Sequence, residues 1–124
     1  MKYLCLVYLE PDALETLPAE RRRALFDEAA EHLARLGERD RLLVAESLQP
    51  AADALRLCRR GGRLRLEALV GTAPVQAFCL LEARDLNEAV LLASGLPQGR
   101  LGCIEVRPVG ALSASPQPPE RTAP

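Results

Sequence analysis

Gly61-Gly62 stands between Ala54-Leu-Arg-Leu-Cys-Arg-Arg60 and Arg63-Leu-Arg-Leu-Glu-Ala68, and this arrangement constrains the fold more than any other stretch of the chain. A two-residue connection between antiparallel strands needs positive φ at both central positions, which glycine adopts without steric cost. With that turn, Leu57 lies opposite Leu66 and Leu55 opposite Ala68, giving one apolar face. On the other face Arg56 lies opposite Glu67, a favourable cross-strand pair. The stretch is therefore expected to be a β-hairpin.

The rest of the chain divides into elements of matching length. Tyr3 to Leu9 is a continuous apolar run, as expected of a strand buried on both faces and ended at Pro11. Pro18 occupies a first helical position, and Leu25, Ala29, Leu33 and Leu36 then recur at helical spacing. Phe26 and Ala30 widen that stripe, and Gly37 is the expected stop. Leu42 to Leu48 reads as a second strand ending at Gln49-Pro50, and Val75 to Ala83 as another. Asp85 is an expected N-cap, with Glu88 placed to close a capping box. The helix it opens buries Leu86, Ala89, Val90 and Ala93 and stops at Gly95 and Pro97. Gly102 to Val109 is the last strand. The order predicts an α+β fold, a ferredoxin-like βαββαβ unit with an added β-hairpin, over residues 1–110. Residues 111–124 are proline-rich and are expected to form a flexible tail. Both helices of such a unit lie on one face of the sheet. The apolar strands call for cover on the other, which a homodimer packing sheet against sheet would supply.

Composition narrows the function. The 124 residues carry 16 basic and 17 acidic side chains, a net charge of −1, which argues against a nucleic-acid or anionic-membrane binder. No apolar run approaches the ~20 residues of a membrane span and no secretion signal is evident, so a cytoplasmic protein is expected. Cys5, Cys58, Cys79 and Cys103 form no close pair in sequence and sit in apolar or alternating stretches. They are expected to be buried free thiols, with no metal and no cofactor.

Four stretches carry a family resemblance: Met1-Lys-Tyr-Leu-Cys-Leu-Val-Tyr8, Glu46-Ser-Leu-Gln-Pro50, Phe78-Cys-Leu-Leu-Glu-Ala-Arg-Asp-Leu86 and Gly102-Cys-Ile-Glu-Val-Arg-Pro-Val109. On these the chain resembles the YCII-related domain family, specifically the branch named for an Asp-Gly-Pro-Phe (DGPF) motif. The resemblance implies a dimeric α+β barrel. The naming motif is missing, because Arg65-Leu-Glu-Ala-Leu-Val-Gly-Thr-Ala-Pro74 stands in its place. Some relatives are proposed to use a histidine and an aspartate in the cleft. The only histidine, His32, lies in the first long helix outside every matching stretch, so none of those positions is carried over. The resemblance further implies an accessory role, in some relatives linked to transcription.

Tyr8, Glu46 and Gln49 lie at strand ends in matching stretches and are the candidate ligand-binding residues. The plainer alternative has Tyr8 capping the core and Glu46 paired with an arginine. The expected function is a non-catalytic accessory domain binding a small ligand or a protein. The alternative is a cofactor-free enzyme acting on a small aromatic or acidic substrate, with Glu46 as general base. Arg59, Arg60, Arg63 and Arg65 concentrate charge at the hairpin tip, where they keep a sheet edge from pairing with other chains.

Overall fold

The computed structural model describes residues 1–69 and 75–110. The expected tail, and residues 70–74 of the segment standing in place of the family motif, lie outside the described residues. Six strands and three helices follow in the order β1 (Lys2–Tyr8), α1 (Pro11–Glu15), α2 (Ala19–Glu38), β2 (Leu42–Ser47), β3 (Leu55–Arg60), β4 (Arg63–Ala68), β5 (Val75–Glu82), α3 (Leu86–Ala93) and β6 (Cys103–Pro108). Two 3-10 turns, Ala51–Asp53 and Pro97–Arg100, complete the elements among the described residues. Four strands form one antiparallel sheet in the order β2-β5-β1-β6, which is the ferredoxin-like arrangement expected. The hairpin β3-β4 forms a sheet of its own, with Leu57 opposite Leu66, Leu55 opposite Ala68 and Arg56 opposite Glu67 as read from the sequence.

Strand alternation sorts the sheet into two faces. Tyr3, Cys5 and Val7 of β1 and Cys79 and Leu81 of β5 are buried toward the helices. There they meet Leu36 of α2 and Ala89 and Ala93 of α3 in two adjoining core clusters. Leu4, Leu6, Phe78 and Leu80 point the other way and stay half-exposed in the single chain. Two bulges interrupt the ladders: Gln76 is an extra residue of β5 against Val7 and Tyr8, and Leu43 an extra residue of β2 against Leu80 and Leu81. Bulges bend strands and re-aim side chains.

Several local expectations are corrected. A helix not expected from the sequence, α1, fills Pro11–Glu15 and is closed by Thr16, whose hydroxyl donates to Asp12 O at 2.8 Å. Helix α2 passes through Gly37 and ends at Glu38. Asp40 takes the left-handed conformation (φ 57°), while Asp40 N donates to Gly37 O and Arg41 N to Leu36 O. This pair of bonds is the Schellman closure, with an aspartate in the place glycine commonly holds. Asp85 caps α3 as expected, its Oδ1 accepting from Glu88 N at 2.9 Å. The returning arm of the capping box differs, since Glu88 Oε1 accepts from Arg84 N rather than from Asp85 N. Of the four thiols only Cys5 and Cys79 are buried; Cys103 lies exposed on an edge strand and Cys58 half-buried on the detached hairpin.

Candidate functional site

Where α2 crosses the sheet, the facing side chains are short. Ala29 and Ala30 on the helix stand over Ala45, Ala77 and Cys79 on the strands, and such residues cannot fill the space between the two layers. The result is a half-open cavity of about 530 Å³, bordered by Phe26, Leu33 and Leu96 among others. That volume lies within the roughly 300–1,000 Å³ usual for small-molecule sites. Among the described residues that line it, Glu46 alone is charged, and Glu46 is exposed at the rim.

Two neutral polar side chains are among the described lining residues, Ser47 of β2, which is exposed, and Gln98 from the turn Pro97–Arg100. Gln98 is only 5% exposed, and its Oε1 has no hydrogen-bond partner. Its backbone is committed, because the Gln98 carbonyl accepts from Leu101 N at 3.0 Å and Gly102 N at 3.1 Å. The turn is tied to α2 by Arg100, whose guanidinium donates to both oxygens of Glu28 at 2.8 and 3.2 Å. That hydrogen bond, chiefly, holds the Glu28 carboxyl below its ordinary range. The lining also includes Cys79, which lies directly across from Cys5 in the ladder. The hydrogen bond between the two thiols, together with burial, pushes Cys79 far above the ordinary thiol value. Cys79 is therefore a protonated, apolar wall and not a nucleophile at neutral pH.

A second, smaller depression of about 300 Å³ lies where β1 and β2 end, lined by Glu10, Glu15, Leu48, Gln49 and Gln76 among others. The bulge residue Gln76 also has a buried Oε1 without a partner.

The three candidate residues go to different places. Glu46 stands at the rim of the larger cavity and Gln49 in the smaller depression. Tyr8 lines neither of these two cavities, and its hydroxyl donates to Glu105 Oε1 at 3.4 Å. His32 is held between α2 and α3, with Nε2 at 2.7 Å from Leu92 O. Gln98 went unnoticed in the sequence because its burial is set by the packing of a turn against a helix. A lone glutamine between Pro97 and Gly99 carries no periodic signal. Among the described residues, no three His, Cys, Asp or Glu side chains are grouped to hold a metal ion, and no helix is long and apolar enough to cross a membrane.

An antiparallel sheet of order β2-β5-β1-β6 carrying its helices on one face, with a cavity beneath the longer helix, defines a ferredoxin-like α+β protein. The model of the YCII-related domain matches residues 1–113, and the chain belongs to that family. Among solved structures, the chain is similar to 5-chloro-2-hydroxyhydroquinone dehydrochlorinase (TftG) from Burkholderia phenoliruptrix AC1100, in complex with 2,5-dihydroxybenzoquinone. The TM-score is 0.55 at 16% identity, over 89% of this chain and 94% of that one, a likeness of fold. No curated protein matches the sequence.

Proposed function

We propose that the chain is a non-catalytic binding domain for a small molecule, a variant of the DGPF branch of its family, with its site in the cavity beneath α2. One observation carries this reading: a cleft of ligand size with Gln98 in its wall, a side chain whose amide oxygen is buried without a partner. Interiors rarely leave such an atom unpaired, since doing so costs about 1–3 kcal/mol. Glu46, the one carboxylate among the described lining residues, is exposed at the rim of the cleft and not set inside it. The domain acts as a homodimer, with Leu4, Leu6, Phe78 and Leu80 of the open sheet face covered by the same face of a second copy.

The test is a thermal-shift screen of small aromatic and aliphatic compounds on the wild type and on Ala77→Phe, which fills the cavity floor. Compounds that stabilise the first and not the second support the site. Hits that stabilise both equally, or no hits at all, count against it. The second reading, a cofactor-free enzyme on a small aromatic, draws on the similar dehydrochlorinase structure. It requires turnover that Glu46→Gln abolishes.

A further inference from the structure

We infer that the leucine face of the β3-β4 hairpin docks on the β2 border of a second copy of this chain, with Arg59 of the hairpin beside Glu46 of that copy. The inference rests on the reading of the domain as a homodimer and adds to it a pair of exchanged arms.

Alternation puts Leu55 and Leu57 of β3 and Leu64 and Leu66 of β4 on one side of the hairpin, together with Arg59. All four leucines lie more than half exposed, and among the described residues the hairpin pairs with no other strand. A second exposed apolar patch lies on β2, the outer strand of the main sheet, whose free edge no described strand covers. There Val44, Glu46 and Leu48 take alternate positions with Leu43 beside them, and the three apolar side chains are 43–46% exposed. Apolar patches of this kind mark interaction surfaces, and an uncovered apolar edge strand invites one.

Three observations favour a second copy as the occupant. The first is that the two patches match. Each is aliphatic with a single charged side chain, Arg59 on one and Glu46 on the other, and among the described residues neither takes part in an ion pair. Both patches are exposed, so within one chain they do not cover each other. In a two-fold dimer such a match is made twice, the arm of each copy on the body of the other. The second is charge. Arg56, Arg59, Arg60, Arg63 and Arg65 sit in the hairpin with Glu67 as its one carboxylate, yet the whole chain carries −1. A positive arm therefore extends from a negative body, and two like chains attract arm to body. The third is area, since each partner of a stable dimer commonly buries about 800 Å². Leu4, Leu6, Phe78 and Leu80 of the open sheet face are already half-buried in the single chain and supply only part of that. The hairpin leaves from the end of β2 and re-enters at β5, the next strand in, so it extends the same contact past the border of the sheet.

The experiment is sedimentation of the full chain over a range of concentrations, for the wild type, Leu57→Glu, Arg59→Glu, Glu46→Arg and the double variant Arg59→Glu/Glu46→Arg. Leu57→Glu is expected to raise the dimer dissociation constant about tenfold or more. Leu57 is exposed in the single chain, so the monomer should keep its cooperative melt. Each charge reversal sets like charges side by side and is expected to raise the constant about tenfold. The double variant, which restores the pair with its signs exchanged, should return to within about threefold of the wild type. A wild-type dimer that Leu6→Glu dissociates and Leu57→Glu leaves unmoved overturns the inference, keeps the sheet-to-sheet homodimer and gives the leucine face to some other occupant. Charge reversals that the double variant does not rescue overturn it as well. A wild type that stays monomeric at the highest concentration overturns both the inference and the homodimer.

Discussion

His32 of α2 donates its Nε2–H to the carbonyl of Leu92, near the end of α3, at 2.7 Å. The last carbonyls of a helix have no partner within it, and the following backbone does not supply one here, because Ser94 N goes to Val90 O and Leu96 N to Ala93 O. The one imidazole of the chain therefore closes one helix with a side chain from another, a positioning role distant from acid–base work. It also explains Gly95: a Cβ there would fall 2.6 Å from His32 Nδ1 and nearer still to Cε1.

Gly95→Ala is expected to destabilise the fold by about 1–3 kcal/mol through this overlap. His32→Ala costs a similar amount by leaving Leu92 O unpaired. The double variant should lose clearly less than the two losses combined, because removing the ring removes the overlap. Urea unfolding of the four proteins measures the coupling, and strict additivity would show that the ring and residue 95 do not meet.

Acid should destabilise the protein in a defined direction. Glu88, its side chain 14% exposed, accepts from Arg84 N, Arg84 Nε and Arg41 Nη1 at 2.9–3.0 Å. The Arg84 amide, first, and the two guanidiniums hold its carboxyl below the ordinary range. The amino terminus does the same for Glu82, and Arg100 for Glu28. A depressed carboxyl contributes stability that is complete above its unfolded value, about 4.3 for glutamate, and is lost as pH falls through the folded value. Unfolding midpoints should therefore be flat near neutrality and drop progressively below about pH 4.3. Glu88→Gln should lower the neutral plateau and shallow the drop. A variant with an unchanged profile would remove Glu88 as a contributor.

The assembly proposed above has its own test. Leu6 sits in the middle of the open sheet face, opposite Phe78 on β5 and Glu105 on β6. The wild type should elute and scatter as twice the 13.5 kDa of the chain. Leu6→Glu would bury an uncompensated carboxylate, so its dimer should dissociate about 100-fold more readily or more. A monomeric wild type at high concentration would remove the homodimer.

Local signals carried most of the fold. The hairpin was legible to the residue pair because turn type and alternation are properties of neighbours in sequence, and both glycines indeed take positive φ, 57° and 75°. Asp85 was legible as a cap for the same reason. Helix α1 was not, since five residues give no periodicity and Pro11 reads equally as an end or a beginning. The end of α2 was misplaced because Asp40, not Gly37, adopts the left-handed closure, a preference of aspartate too weak to outrank glycine in a sequence. The candidate site was only partly legible. Glu46 and the alanine-rich stripe of α2 were in view, yet the cavity arises where small residues from Ala29, Ala45 and Ala77 meet. Gln98 became significant only through the packing that buried it.

The hairpin offers the last test. Its leucines Leu55, Leu57, Leu64 and Leu66 are 56–67% exposed, and among the described residues it pairs with no other strand. Two strands alone are marginally stable in water, so in the single chain this element should be the least protected part of the described fold. Gly62→Val forces a β-branched residue into a φ of 75°, a penalty of about 1–2 kcal/mol or more. If the hairpin stands free, hydrogen exchange in β3 and β4 should accelerate sharply while β1 and β5 stay protected, and the global Tm should hardly move. If the Tm instead falls as far as it does in Gly95→Ala, the leucine face is packed in solution, as its docking on a second copy requires.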